Sequence, residues 1–334
     1  MGHKIKFESQ SKSKGREVFE WDVDDLPAYV DENSDDLHAR IIGESKSVRL
    51  MNTVEGIKGT QAVQLLDDAL GWQTGDGCGF NPSDNDALSQ TTLSTANIKA
   101  EKEFCNNTLV GFWAQRKLAP GAGKELETLP FEQILLDRMI ERNARMVENA
   151  IWKSDTTLLN DDLNRFDGLE KIIANATGII DLNPANTASF TTSNALDIVL
   201  AAYTAMGEDL TSNPKFGMYM NWDYMFKLIQ NMITLNLFHY DPKTMDLMDY
   251  IVIPGTSCKI WRIPGLSTST DFYAGLIGAE GEFLVGTDTM SDFTAIQSGY
   301  DTRLQSLWYR FQFRLGVNIV FANQVGRWTP GGIS

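Results

Sequence analysis

The sequence predicts an α+β fold, and three observations carry that expectation. One long amphipathic helix pattern occupies residues 130 to 152, a mixed region of short helices and strands runs from about 166 to 290, and a strictly alternating strand closes the chain. Segregated elements of this kind do not make a doubly wound parallel sheet, which needs strand and helix to alternate throughout.

Composition limits what such a chain can be. At 334 residues and 43% apolar it holds enough material for a sizeable core, or for about two domains. No run approaches the roughly 18 apolar residues of a membrane span, and no basic start leads into an apolar leader, so a soluble, unexported chain is expected. Cys78, Cys105 and Cys258 are odd in number and widely spaced, which fits reduced thiols better than disulfides or a metal site. A net charge of −15 excludes a protein that wraps nucleic acid with a basic face. It does not exclude a container for nucleic acid, whose inner wall has no need to grip its contents.

The first element is an arm, residues 1 to 55. It opens with the basic KIKFESQSKSKGR, turns acidic through Glu17 to Asp36, and offers little to a core. Its DENSDD opens like a calcium loop, but Asp36 stands where that loop needs Gly and Ile42 where it needs a bidentate Glu, so a solvated acidic face is the reading. Residues 56 to 103 follow as a long two-stranded excursion. GIKGTQAVQLLDD and TTLSTANIKAEKEF supply strand-forming runs, and Gly71, Gly75, Gly77, Gly79 and Pro82 punctuate a broad tip that carries Trp72 and Phe80. Exposed aromatics at a tip usually meet a partner surface. GDGCG lacks the preceding buried strand and following helix of a phosphate cradle.

In the helix, Leu136, Ile140, Ala144, Val147 and Ile151 form one apolar stripe, widened by Phe131, Leu135, Met139 and Met146. Pro130 suits its first turn, and its length is about 35 Å. Arg138, Arg142 and Arg145 with Asp137, Glu141 and Glu148 read as a solvated, ion-paired face. RFDGLEKI marks the exit. Beyond it, Ser193 is placed to cap a helix through Leu196, Val199, Tyr203 and Met206 that stops at Gly207. FGMYM reads as a strand, Asn221 opens the next helix, DYIVIPGTSCKIWRIPGL as two strands, then DFYAGLIGA and GEFLVGTD as two more. In the final strand Trp308, Arg310, Gln312 and Arg314 alternate with Leu307, Tyr309, Phe311, Phe313 and Leu315.

Catalytic chemistry is absent from the pattern. His3, His38 and His239 form no metal spacing, and no nucleophile elbow, Walker loop or dinucleotide fingerprint occurs. The expectation is no enzyme, no cofactor and no metal.

The order of these parts resembles the HK97-type major capsid proteins of tailed bacteriophages. The motifs that carry the likeness are GIKGTQAVQLL with the later CGFN, LPFEQILLDRMIERNARMVENAIW, RFDGLEKI, IPGTSCKIWRIPGL and GEFLVGTDTMSDFTAI through the last strand. They look like those of phages of Bacteroidetes-type hosts, crAss-like or related. The resemblance implies an HK97-like capsid fold with N-terminal arm (1–55), extended β-hairpin loop (56–103), peripheral domain with spine helix (104–165, helix 130–152), axial domain (166–290), and return strands of the peripheral domain with the C-terminus (291–334).

It also implies a structural role: pentamers and hexamers of an icosahedral shell around a double-stranded DNA genome, assembled in the bacterial host cytoplasm and residing in the virion capsid. Trp72, Phe80, Lys58 and Lys99 would be inter-subunit contacts of the extended loop. Phe166, Asp167, Gly168 and Leu169 would form the junction to the axial domain, with Asp167 and Gly168 as turn residues and Phe166 and Leu169 as apolar anchors. Expected partners are copies of itself, a portal protein, a separate scaffolding protein because the arm is too short to be one, decoration or cement proteins, and DNA contacted non-specifically, with no membrane. Lys58, Lys99 and Lys102 lie on the expected loop, but no partner Asn or catalytic acid is identified, so covalent crosslinking is not expected. The rival readings are an encapsulin-like shell around a protein cargo, a tail or head-joining ring, and an acidic α/β hydrolase, which would need a concave pocket with perturbed carboxylates.

Overall fold

The computed structural model describes residues 45–67, 87–105, 131–159, 162–237, 249–278, 281–288, 296–301, 303–304 and 306–333. In chain order the elements are α1 (Lys46–Leu50), β1 (Asn52–Val54), β2 (Thr60–Asp67), β3 (Ala87–Ser94), β4 (Ala96–Cys105), α2 (Phe131–Lys153), α3 (Leu169–Asn175), β5 (Ile180–Asp181), α4 (Ala195–Ala205), α5 (Glu208–Thr211), β6 (Phe216–Met220), α6 (Trp222–Thr234), β7 (Tyr250–Val252), β8 (Lys259–Arg262), β9 (Phe272–Leu276), β10 (Phe283–Thr287), β11 (Ile296–Asp301), β12 (Ser306–Ile319) and β13 (Gly326–Trp328). They fall into two compact units. One draws on Asn97–Ala144 and Thr289–Phe313, the other on Ser45–Ala96, Arg145–Asp288 and Arg314–Ser334.

In the first unit, β11 runs antiparallel to the start of β12, from Ile296 opposite Phe311 to Asp301 opposite Ser306, and β4 also pairs with β12. The predicted alternation is present: Tyr309, Phe311 and Phe313 are buried while Trp308 and Arg310 are exposed. Phe104 meets Tyr309 edge-on at 6.1 Å, and Arg310 Nε donates to Glu101 at 2.7 Å.

The second unit centres on a six-stranded sheet in the order β5-β13-β9-β6-β8-β7. Its central strands are continuous apolar runs because both faces are covered, so FGMYM is buried at every position. On one face α4 and α6 close a core around Met218, Ile260, Phe272 and Trp328. Asn221 caps α6 by accepting from Tyr224 N at 2.7 Å, and Gly207, at φ +80°, turns the chain out of α4. The α4 cap position falls on Asn194 instead of Ser193, and its Oδ1 accepts from Thr191 N.

On the other face, register lines up Arg327, Tyr273, Tyr219, Trp261 and Tyr250 across β13, β9, β6, β8 and β7. The end of α2 covers this row, with Trp152 stacked at 5.3 Å on Tyr273 and 5.8 Å from Tyr219. β13 thus belongs to this sheet, a strand the sequence reading did not single out. The reason is a burial the local pattern does not reveal, since Trp328 stacks at 5.3 Å on Phe272.

In the same unit β10 pairs antiparallel with the end of β12 and parallel with β1. The hairpin of β2 and β3 has eight cross-strand pairs, Thr60–Ser94 through Asp67–Ala87. It stands on a small cluster of Ile57, Leu93 and Leu284. The hairpin therefore ends at Ser94, short of the predicted 103, because Thr95 breaks the run: its N donates to Gly59 O at 2.7 Å and its hydroxyl to Ile57 O at 3.1 Å.

Candidate assembly surfaces

The junction after α2 is built by close backbone packing. Phe166 and Leu169 are buried, and between them Gly168 N donates to Ser154 O at 2.6 Å. Gly168 is extended at φ −79°, so its need for glycine is spatial: a Cβ there would lie 2.6 Å from Trp152 O and 2.7 Å from Ser154 N. Gly265 presses on the same helix end, where a Cβ would lie 2.5 Å from Glu148 O and from Trp152 Cδ1. Two motifs singled out in the sequence, RFDGL and RIPGL, meet on one helical turn. Asp167 Oδ1 accepts from Thr156 N at 2.9 Å, Thr156 Oγ1 at 2.7 Å and Lys171 Nζ at 2.8 Å. Burial alone would raise its carboxyl, but these donors outweigh it and hold it below the usual range. Lys171 also reaches Asp155 at 2.6 Å, holding that carboxyl down at about 2.

Glu148 corrects the sequence reading. It was assigned to the solvated face with Arg138, Arg142 and Arg145, which are indeed exposed, yet Glu148 is buried. Ser45 Oγ, Ser47 N and Ser47 Oγ donate to its carboxylate at 2.6, 2.9 and 2.7 Å, and Trp152 Nε1 donates to Ser47 Oγ at 2.7 Å. This clamp ties the first described residues to the helix and was not foreseen, because nothing near Glu148 in sequence signals it. Met146, placed in the apolar stripe, lies at its margin and is 36% exposed.

Of the expected loop contacts, Trp72 and Phe80 lie outside the described residues. Lys58 is exposed at the hairpin root. Lys99 stands on β4, beyond the hairpin, paired with Glu101 at 3.0 Å. An open cleft of about 550 Å³ lies between the junction and the hairpin root, lined by Thr91, Asp167, Lys171, Asn175 and Asn318. Its two charged groups already neutralise each other.

The outer surface of the six-stranded sheet differs. α6 buries Met225, Leu228 and Met232 on one side and exposes Trp222, Phe226 and Ile233 on another, with Asp223, Lys227 and Gln230 between. On the opposite face of the sheet, its last strand β7 exposes Tyr250 and Val252. The sequence reading of α6 gave only its start at Asn221. The second stripe is visible at the same spacing, once Trp222, Phe226 and Ile233 are placed on a wheel.

Two carboxyls are perturbed by burial, Glu170 upward and Glu282 to about 7. Ser269 and Lys153 stand beside Glu170, and Phe321 N beside Glu282. Among the described residues no group of His, Cys, Asp and Glu is placed to hold a metal, and no helix is long and apolar enough to cross a membrane.

No protein-family model and no curated protein matches the sequence. Solved structures match the backbone over nearly its whole length. A chain of the satellite phage P4 procapsid including size determination (Sid) protein is 11% identical, with a TM-score of 0.52 over 92% of this chain and 99% of that one. A chain of Mycobacterium phage Ogopogo is 14% identical, with a TM-score of 0.54 over 85% and 91%. A chain of a virus-like particle from Pyrococcus furiosus is 10% identical, with a TM-score of 0.50 over 89% and 98%. The likeness is one of fold: the chain has the HK97-like capsid fold.

Proposed function

We propose that this chain is a structural, non-catalytic major capsid protein of a tailed bacteriophage. It self-assembles into pentamers and hexamers of an icosahedral shell that encloses double-stranded DNA, in the host cytoplasm and then in the virion. The observation that carries the reading is a backbone likeness to phage chains over 85% or more of this one. A hairpin with too small a root cluster to stand alone and an apolar stripe left in solvent support it, since both need neighbours. The arm, the extended loop with Trp72, Phe80 and Lys58, the strand that carries Lys99, and the junction at Phe166 to Leu169 take their capsid roles within it. A portal, a separate scaffolding protein and decoration proteins are its further partners. The Bacteroidetes-type host rests on the sequence motifs alone. With a net charge of −15 the wall would touch DNA without gripping it.

The virus-like particle neighbour favours a second reading, a shell of the same fold around a protein cargo. Negative-stain microscopy of the purified chain, with and without a candidate scaffolding protein and after sizing by light scattering, tests the first. Closed shells or rings of five and six are expected. A chain that stays monomeric under every assembly condition rejects it, and shells that take up a protein cargo and form without any portal transfer the assignment to the second reading.

A further inference from the structure

We propose that the outer edge of β7 is a peptide-binding site. It takes an extended segment of a partner protein as an added strand, with apolar residues against Tyr250 and Val252 and a carboxylate against Lys259. The main chain carries the first half of this. β7 is the last strand in the order β5-β13-β9-β6-β8-β7, and no strand among the described residues pairs with its other side. Its register with β8 sets Tyr250 opposite Trp261, Ile251 opposite Ile260 and Val252 opposite Lys259. Arg262 N donates to Asp249 O and Ile253 N to Cys258 O, each at 3.2 Å, so Asp249, Ile251 and Ile253 turn their main-chain groups to β8. The N–H and C=O of Tyr250 and Val252 therefore point outward, free to join another strand. Edges are normally blunted with charge or proline, and Tyr-Ile-Val contains neither, so shortness is its one protection.

Side chains identify the occupant. Tyr250 and Val252, 42% and 44% exposed, share the face opposite α6 with Lys259 and Trp261. The Tyr250 and Trp261 rings are 4.8 Å apart, and the Lys259 ammonium sits 5.4 Å from the Tyr250 ring, reaching from β8 across to β7. Lys46, 5.8 Å from Trp261, is paired with Asp249 at 2.9 Å, whereas among the described residues Lys259 meets the tyrosine ring and no carboxylate. In a chain of net charge −15, a cation left over beside two exposed apolar side chains selects an apolar strand that carries acid. Cross-strand neighbours stand about 5 Å apart, so a Glu flanking the apolar pair comes within reach of Lys259. Strand addition takes its affinity from main-chain bonds and its specificity from alternate side chains, and this edge offers both.

A capped, fluorescein-labelled peptide, Glu-Thr-Val-Thr-Val-Thr-Glu, tests this by anisotropy on the unassembled full chain. Its Glu and Val side chains share one face whichever way it runs. Binding is expected, and replacing both Glu by Lys is expected to weaken it at least tenfold. The Lys259→Glu chain is expected to reverse that preference. Val252→Pro removes an outward N–H that β8 does not use, so it is expected to melt within a few degrees of the parent and to lose binding at least tenfold. A folded Val252→Pro chain that binds as the parent does overturns the site, as does a parent that binds the peptide at no soluble concentration. So does a Lys259→Glu chain that keeps the parent's preference, a swap that decides even where the proline unfolds the chain. Concentration-dependent dimers that Val252→Pro abolishes, with no peptide bound, overturn it in favour of a second copy at the same edge. None of these measurements needs a shell, so failure here leaves the capsid reading to microscopy.

Discussion

Glu282 sits at the foot of β10, buried, and its Oε2 accepts from Phe321 N at 3.3 Å. Burial pushes its carboxyl up to about 7, against a small opposing pull from that amide. The folded state therefore holds the proton more tightly than the unfolded chain, whose carboxyl titrates near its ordinary value. Between those two values the folded state binds more protons, so stability falls as pH rises from about 4.5 through about 7. Burial raises Glu170 in the same sense, whereas Asp155 and Asp167 are held low and contribute stability that disappears in acid. Only substitution isolates one group. Glu282→Gln keeps the shape without the charge, and it is expected to melt above the parent at pH 8, by up to about 3 kcal/mol, with the gap closing by pH 5. Thermal unfolding of both proteins at the two pH values measures it. Parallel profiles would show that Glu282 finds a cation or water the geometry does not show.

Among elements, the exit from α2 depends on two glycines for closeness, not for turn geometry. Gly168→Ala and Gly265→Ala each place a methyl group against main chain that cannot yield, and each is expected to cost roughly 1–3 kcal/mol in denaturant unfolding. Both press on the stretch from Glu148 to Ser154, so the double variant is expected to depart from additivity. A loss near zero in both would mean that the helix end shifts freely. The same elements show where sequence is informative. The α2 stripe, the alternation of β12 and the FGMYM strand were legible because burial there repeats at short range. Glu148 was not, because its donors lie 101 and 103 residues away and no window of sequence contains both ends. The glycine of RFDGL was explained by turn chemistry, since the proximity of Trp152 and Ser154 exists only after folding. β13 escaped for a related reason: three residues have no period to read, and their sheet is fixed by Trp328 on Phe272.

For the whole molecule, the balance between a well-buried sheet and a thinly supported hairpin sets what would change if the chain assembles as proposed. The six-stranded sheet is sandwiched by helices, so its backbone bonds open only with large-scale unfolding. Hairpin strands β2 and β3 rest on Ile57, Leu93 and Leu284, and a two-stranded ribbon is marginal in water without further cover. Its root is nevertheless fixed in direction. Asn318 Nδ2 donates to Thr92 O at 2.7 Å, and Gly316 leaves room for Ser94 O, so the ribbon has a defined heading before it has a partner. On the shell reading proposed above, stability held back in this way would suit a subunit that fits rings of different size, its final contacts forming against a neighbour. Amides of Gln61 to Asp67 and Ala87 to Leu93 are therefore expected to exchange quickly in the isolated chain and to become protected at least tenfold in assembled particles. Those of Met218 to Met220 and Phe272 to Ala274 are expected to be slow in both. Hydrogen exchange on separated monomer and particle fractions reads the difference, and a hairpin already protected in the monomer would mean that its stability comes from its own chain.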